Sequence, residues 1–589
     1  MKRSKSKAFV TNKGLRHMQI FKKEVNKMMK NEMTIIYKAK ELNDFRKKMR
    51  ADDSIVSVHT LIYDTIVEML DLLPEGNILL PFLDPYQTAP LSMVFGVKTT
   101  TPTKLSVTVH GKDSSDDDIS HEFEGYATQH VIPVLGLYPN YNNTITIRRE
   151  TENQVVAETV IQQQTESLPE DFGVVELVVE AQRVRLNDEL YYVGGVNAYP
   201  AAIDYSGEVR WYFNQTLEGF DSYIEKGDTS YYKLLNGRLL YRSTDTYSIL
   251  ESDQSGRIYK ITTFDFKVHH DVVEKEEGIL LVQSTEVDSQ YIEDTLTLYN
   301  YNTGEILKEI DFKEILDVDR PIQPETPPFG DPGKTDWLHS NSVEFDDATN
   351  VYITSSRKQN CVFAIDQDSN ELRWILGSHF GWREEFEQYL LTPVDAEGNT
   401  LYNLSDPEGE LAADHNFWNW AQHCAKIYTE SPESGVIDLF LFNNGNSRSY
   451  HEENWIRTYE NWSGCVKFRI NTNEMTVQLL WEFGSELGSE YYSSYVSNSR
   501  YIPETNSVYI SFTATNIDSS TGHNVGISGD FPSVDDYFAD TIQEYTRTVE
   551  VDMDTKEILF AFNWYAPHAS GIATVALFRL IKTGLYSSY

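Results

Sequence analysis

Four stretches of the chain share one order of residues: a polar, often histidine-bearing opening, two alternating apolar residues, a short polar turn, then a strand. They read HHDVVEKEEGILLVQ from His269, HSNSVEFDDATNVYITSSR from His339, QHCAKIYTESPESGVIDLFLFNN from Gln422 and SNSRYIPETNSVYISFT from Ser497. Equivalent positions in successive repeats of a radial fold converge on one axis, so histidines roughly 70 to 85 residues apart would meet in space. The openings supply His270 or its neighbour His269, His339 with Asn341, and His423; the strand after His339 ends in TSSRKQN and delivers Arg357. Three imidazoles, one permanent guanidinium and an amide donor, with no matching acidic cluster, form a cradle for an anion. A metal ion on three histidines is the competing chemistry, although no carboxylate beyond Asp271 is evident to support such ligands. Taken singly, each histidine reads as a satisfied polar group in a tight channel; the set at equivalent positions reads as a site.

A second repeat sets the frame. Strand–turn–strand hairpins with Asp or Asn and Gly or Glu at the bend occur at 201–213, 248–261, 297–310, 362–376, 466–483 and 549–564. Six copies predict six blades, each ending in this hairpin while its innermost strand begins with the histidine-bearing opening. The interval 377–420, rich in Trp, Asp and Glu, reads as an insertion over one face of the ring, with aromatic rings free to line a binding wall or to pack in the core. Ahead of the ring, short alternating strands from 76 to 175 predict a small Ig-like β-sandwich, in which His110 decorates a strand. Residues 1–75 read as a basic, helical extension. Asp52, Asp53 and Ser54 would cap a helix carrying Ile55, Val58, Leu61, Ile62, Ile66, Met69 and Leu72 at helical spacing, and Leu73-Pro74-Glu75-Gly76 would stop it. The expected fold is therefore all-β, a six-bladed β-propeller over 176–589 preceded by the sandwich and the helical extension.

Composition narrows the partners. The formal net charge of −40 argues against nucleic acid. Residues 1–50 hold 16 Lys+Arg against 4 Asp+Glu, leaving 34 against 86 for the rest, so an anion site in the body must carry its own cations. Cys361, Cys424 and Cys465 offer neither a disulfide framework nor a zinc pattern. No apolar run is long enough for a membrane span, and the basic beginning lacks the apolar stretch of a secretory signal. The chain as given reads as cytoplasmic, or as exported by a route it does not declare. The arm and the sandwich are surfaces on which a homodimer could form.

With these residues on the page, the order DWLHSNSVEFD, VYITSSRKQNCVFAID, WAQHCAKI and LFLFNNGNSR resembles the bacterial arylsulfate sulfotransferases, which need no nucleotide sulfate donor. LDPYQTAPL, VTVHGK, VLGLYPNYNN and ETPPFGD extend the resemblance over residues 77–580, leaving the basic arm unmatched. It implies a six-bladed propeller behind a β-sandwich and ping-pong transfer of a sulfuryl group from an aryl sulfate to a phenol, through a sulfated histidine and without cofactor or metal. On this resemblance His423 is the nucleophile, His339, Asn341 and Arg357 hold the sulfate oxygens, and His270 completes the pocket and handles a proton. A polar Thr of the family aligns with Val496, flanked by Ser497, which completes the substrate-binding set. A cysteine pair of some members is absent from 395–422, and the family's FDNG is FNNG here, with a structural Asn443.

The chemistry is consistent with those residue types. An aryl sulfate spreads one charge over three oxygens, and its loose displacement needs positioning and charge stabilisation. A neutral imidazole is a competent nucleophile near pH 7, nearby cations keep it unprotonated, and no P-loop for a nucleotide donor is present. Two other readings stand beside this one: a metal-assisted hydrolase on the same scaffold, and a non-catalytic propeller that displays partner-binding loops.

Overall fold

The computed structural model describes residues 55–589 apart from 75, 153, 196–198, 215–228, 244–245, 323–332, 402–416, 429–433, 519, 521–522, 525–541 and 566–576. The basic arm, the expected caps Asp52, Asp53 and Ser54, and the ETPPFGD stretch fall largely or wholly outside the described residues. Those described fall into two compact units, one mainly 55–137 with 141–165, the other mainly 166–254 with 258–589.

The first unit opens with the helix Ile55–Leu72. Its Ile62, Ile66, Met69 and Leu70 pack with Leu80, Phe82, Tyr86 and Val94. The expected apolar stripe is narrower than its sequence, since Leu61 and Leu72 lie exposed. The helix stops where Lys98 Nζ donates to the carbonyls of Leu70 (2.9 Å) and Leu73 (2.7 Å), satisfying acceptors that the next turn would have used. The sheet beneath contains five strands. Ser92–Val109 is longer than the short strands expected here and shifts register between Lys98 and Leu105. Its first half pairs with Ile78–Leu83 and its second with Asn142–Thr151. His110 is held by Thr146 Oγ1 (2.8 Å) and Asp118 (3.2 Å), as befits a residue that secures a strand end.

In the second unit all six predicted hairpins form antiparallel pairs, from Ala201–Ile203 with Val209–Tyr212 to Ile542–Asp552 with Ile558–Tyr565. Six inner strands neighbour one another in sequence order: Thr229–Lys233, the second half of Ile258–Glu276, Ser340–Asp346, His423–Ile427, Asn498–Ile502 and Leu577–Thr583, the last returning to the first. Closure is double. Val174–Val179 adds to the edge of Ile558–Tyr565, and Leu577–Thr583 pairs with Leu190–Gly195. Apolar clusters fill the spaces between successive sheets, for example Phe440, Phe442, Val508, Ile510 and Phe512.

The described part of the 377–420 interval is more core than lid. Trp418, Trp420 and Phe417 are buried with Trp374 and Phe468, while Trp382 packs with Phe312 and Trp337. These rings are therefore not available to stack on a ligand, because removing such large apolar surfaces from water already assigns them to packing. Cys361, Cys424 and Cys465 are all free and buried.

Polar side chains tie the inner strands together. Asp271 accepts from the Val343 amide (2.9 Å) and forms ion pairs with Arg579 Nη2 (2.5 Å) and Lys426 Nζ (3.5 Å), so one buried carboxylate links four inner strands. Burial would push the Asp271 carboxyl up, but Arg579 and Lys426 outweigh it and hold the pKa below its ordinary value. Asp271→Ala leaves a buried guanidinium without its partner, and we expect a loss of about 3–5 kcal/mol, read as a lowered midpoint in thermal or urea unfolding.

Candidate active site

Each inner strand that carries a candidate begins with a left-handed kink. Positive φ occurs at His270 (46°), His339 (51°), Ala421 (50°), Cys424 (56°), Val496 (48°) and Ser497 (81°). None is glycine, so each conformation is strained and persists because the surrounding strands enforce it. The strand pairing skips a step at the same places, between Val268 and Val272, Ser340 and Ser342, and His423 and Lys426. Such bulges re-aim a side chain away from the regular alternation. This backbone feature is what the repeated sequence openings encode.

The kinks bring the rings together. His270 and His339 meet edge to face with centroids 4.7 Å apart. Of the two adjacent histidines, His269 is fully buried, with Nε2 on the Ser284 carbonyl at 2.9 Å, while His270 faces His339. Since a carbonyl only accepts, the neutral His269 carries its proton on Nε2, and His270 Nδ1–H donates to His269 Nδ1 at 3.1 Å. Arg357 follows the strand Val351–Ser356, and its amide donates to the His339 carbonyl (3.1 Å), which places it at the same end of that sheet.

His423 is fixed by a residue that sequence reasoning did not single out. Asn444 Nδ2 donates to the carbonyls of Ser493 (2.8 Å) and Val496 (3.2 Å), which leaves Oδ1 facing His423 Nδ1 at 2.7 Å. Oδ1 only accepts, so the His423 proton sits on Nδ1 and the lone pair on Nε2. Burial, then the nearby Arg357 guanidinium, push His423 well below its ordinary pKa, with His339 adding to the effect. The ring is therefore neutral around pH 7. Asn341 Nδ2 donates to the Gln422 carbonyl (2.7 Å), joining the His339 strand to the residue before His423. Gln422 is anchored in turn on the Ser356 and Cys361 carbonyls at 2.9 and 2.8 Å.

Three expectations need correction. The site does have acidic groups: His339 Nδ1 lies 2.7 Å from Asp336 Oδ2 and 2.9 Å from Glu293 Oε2. Burial acts to lower the His339 pKa, but Glu293 and Asp336 outweigh it and push the ring up to about 10. His270 behaves oppositely, driven well below the ordinary range by burial and by the adjacent His339. A ring driven so low is neutral and only weakly basic near pH 7, which does not favour the acid–base role expected of His270. Ser497 is also turned inward, its hydroxyl engaged with Ser493 Oγ (2.7 Å) and Thr513 Oγ1 (3.1 Å), while Val496 contributes its carbonyl to Asn444. Asn443 is structural as expected, its Oδ1 accepting from the Trp420 and Gly445 amides at 2.8 and 3.1 Å.

Among the described residues two groups have donor atoms close enough to hold a metal ion, His269 with His270 and Glu293, and Glu293 with Asp336 and His339. Neither contains His423.

The chain matches the arylsulfotransferase family model over residues 175–571 and the arylsulfotransferase Ig-like domain model over residues 80–166. The class of enzyme is thereby set as an aryl sulfotransferase. The chain belongs to the arylsulfotransferase family. It is 24% identical over 525 residues to arylsulfate sulfotransferase AssT of Escherichia coli O6:H1, covering 74% of this chain and 85% of that protein. The AssT of Lelliottia amnigena is likewise 24% identical, over 522 residues, with the same coverage. Among solved structures, the periplasmic gluconolactonase of Pseudomonas aeruginosa overlaps 82% of this chain and all of its own length with a TM-score of 0.29 at 10% identity. No helix among the described residues is long and apolar enough to cross a membrane.

The buried neutral rings have a consequence for stability. Unfolded histidines protonate near 6.5, whereas burial holds His269 at about 3 and keeps His270 and His423 far below 6.5. The unfolded chain thus binds more protons below about pH 6.5, and stability falls as the pH drops, by about 1.4 kcal/mol per unit for each ring. Urea midpoints between pH 7 and 5 should decline, and less steeply in His423→Asn.

Proposed function

We propose that this protein moves a sulfuryl group from an aryl sulfate to a phenol in two half-reactions through a sulfated His423, with no nucleotide sulfate donor. The observation that carries the reading is the fixed tautomer of His423, its Nδ1–H on Asn444 and its Nε2 lone pair free of that bond, on a ring whose pKa the Arg357 guanidinium helps to lower. A nucleophile needs its proton held on the far side, and an incoming monoanion needs a permanent cation at the point of attack. In this reading Arg357 and the His339 imidazolium neutralise the sulfate oxygens, and Asn341 holds the backbone before His423. His423 Nε2 attacks sulfur while the S–O bond to the aryl group breaks, leaving a phenolate. A second phenol then takes the group back from His423. We read the six inner strands as six blades, with the sandwich over residues 76–175 and the propeller over 176–589. The resemblance to the two AssT proteins, named arylsulfate sulfotransferases, supports the substrate class.

Incubation with an aryl sulfate alone should add one sulfuryl group to a peptide containing His423, seen by mass spectrometry, and addition of a phenol should remove it. His423→Asn should abolish both labelling and turnover while the fold is retained. Asn444→Leu, which frees the ring to adopt the other tautomer, should lower kcat by about 10²-fold or more with little change in KM. Donor turnover equally fast with no acceptor would instead identify a sulfatase. Activity lost to a chelator and restored by a divalent metal would favour the metal-assisted hydrolase.

A further inference from the structure

The carboxylate pair on His339 has no part in the scheme above, and its construction is specific. Glu293 is tethered through its backbone on both sides: its amide donates to Thr285 Oγ1 (2.8 Å), and its carbonyl accepts from the Ser340 amide (3.0 Å) and Ser340 Oγ (2.9 Å). The turn bearing Asp336 is framed by its neighbours, with Trp337 Nε1 on Asp294 Oδ2 (3.0 Å), Gln359 Nε2 on the Trp337 carbonyl (3.0 Å) and Ser356 Oγ on the Leu338 carbonyl (2.6 Å). Two carboxylates delivered by separate segments therefore converge on one ring nitrogen. Like charges this close repel each other unless a cation lies between them. With Nδ1 engaged, the opposite edge of the ring, Nε2, is the edge available to a substrate. The His339 side chain is 21% exposed against 10% for His270, which makes it the more accessible of the two rings that meet there.

We propose that Glu293 and Asp336 are positioning residues that clamp the Nδ1 edge of His339, so that its Nε2–H protonates the departing phenolate and its Nε2 later recovers a proton from the incoming phenol. This rests on the sulfohistidine reading above. In the first half-reaction the S–O electron pair goes to the aryl oxygen, which takes the Nε2 proton, giving a free phenol, sulfated His423 and neutral His339. In the second, the acceptor's O–H proton passes to His339 Nε2, its oxygen bonds to sulfur, and the N–S pair returns to His423. The two half-reactions leave the proton count unchanged.

The charged and titratable groups around His339 are consistent with one shuttle. Glu293 and Asp336 favour its cation. His270, 4.7 Å away, and His269 are held neutral, as is His423. Arg357 and Lys358, from the following turn, lower the Asp336 pKa in the same sense as His339 does and so keep that carboxylate ionised. Glu293 also lies 3.7 Å from His270 Nδ1 and so touches both rings.

The test compares Glu293→Gln and Asp336→Asn with wild type, using two donors that differ in leaving group. Phenyl sulfate releases a phenol with a pKa of about 10, and 4-nitrophenyl sulfate a much more acidic one. If the clamp supplies the proton, each variant loses about 10²-fold or more in kcat on phenyl sulfate and less than about tenfold on 4-nitrophenyl sulfate. The alkaline limb of the phenyl sulfate profile also moves down by at least one pH unit. Equal losses on both donors with an unmoved limb, or no loss on either, overturn the proposal. Labelling of His423 by 4-nitrophenyl sulfate is followed in the same samples. Its presence in the variants confirms that they are folded and that the sulfohistidine reading holds, whereas its absence in wild type would sink that reading rather than the clamp.

Discussion

The constraint on which the site depends is the left-handed backbone at the start of the inner strands. In a regular strand successive side chains alternate between faces, and a histidine would point into the packing between sheets or along the wall. At His270, His339 and the Ala421–Cys424 segment the chain instead takes a positive φ and drops a pairing step. The ring is aimed elsewhere as a result. A single kink of this type costs local conformational energy, and several recur because the neighbouring strands are fastened to each other by buried polar side chains. Asp271, Ser342, Asn341 and Gln422 form that fastening.

Charge is handled in the same local manner. The chain is strongly acidic, yet the site holds a permanent cation in Arg357 and a conditional one in His339, with Glu293 and Asp336 immediately behind the latter. One imidazole is made cationic and its neighbour neutral across a ring-to-ring distance of 4.7 Å. What separates them is that two carboxylates close on Nδ1 favour the His339 cation, whereas burial and that same cation drive His270 down. Two identical side chains thus acquire opposite characters through their second contacts, as in other sites where environment divides acid from base.

Much of this was legible in the residues. The six outer hairpins stand where the Asp/Asn and Gly/Glu bends placed them, because a turn signal between alternating strands is a local property. The convergence of His270 and His339 followed from their equivalent places in the repeat. The supporting groups were not legible, and the reason is physical. Glu293 reaches His339 from a loop 46 residues earlier, through tertiary packing that leaves no periodic trace. Asp336 was in view, three residues before His339, but its role depends on a turn whose shape Trp337 and Gln359 set. Asn444 lay beside the position that drew notice, Asn443, and only the orientation of its amide reveals which ring nitrogen it holds. The aromatic residues of 377–420 were ambiguous by composition and proved to be core, since Trp and Phe serve both uses equally well.

The manner in which the ring is closed bears on how the molecule comes to exist. Leu577–Thr583 is an inner strand, and it pairs with Leu190–Gly195, made nearly four hundred residues earlier. Arg579, the partner of Asp271, arrives on that same late strand. During synthesis, then, the histidine-bearing strands emerge well before the cation that neutralises their shared carboxylate. Antiparallel sheets can form as local units while the ribosome is still at work, but the inner strands close on one another only when this late segment docks. Closure is thereby a late event, governed by the slow closure of a very long loop rather than by the rapid formation of hairpins.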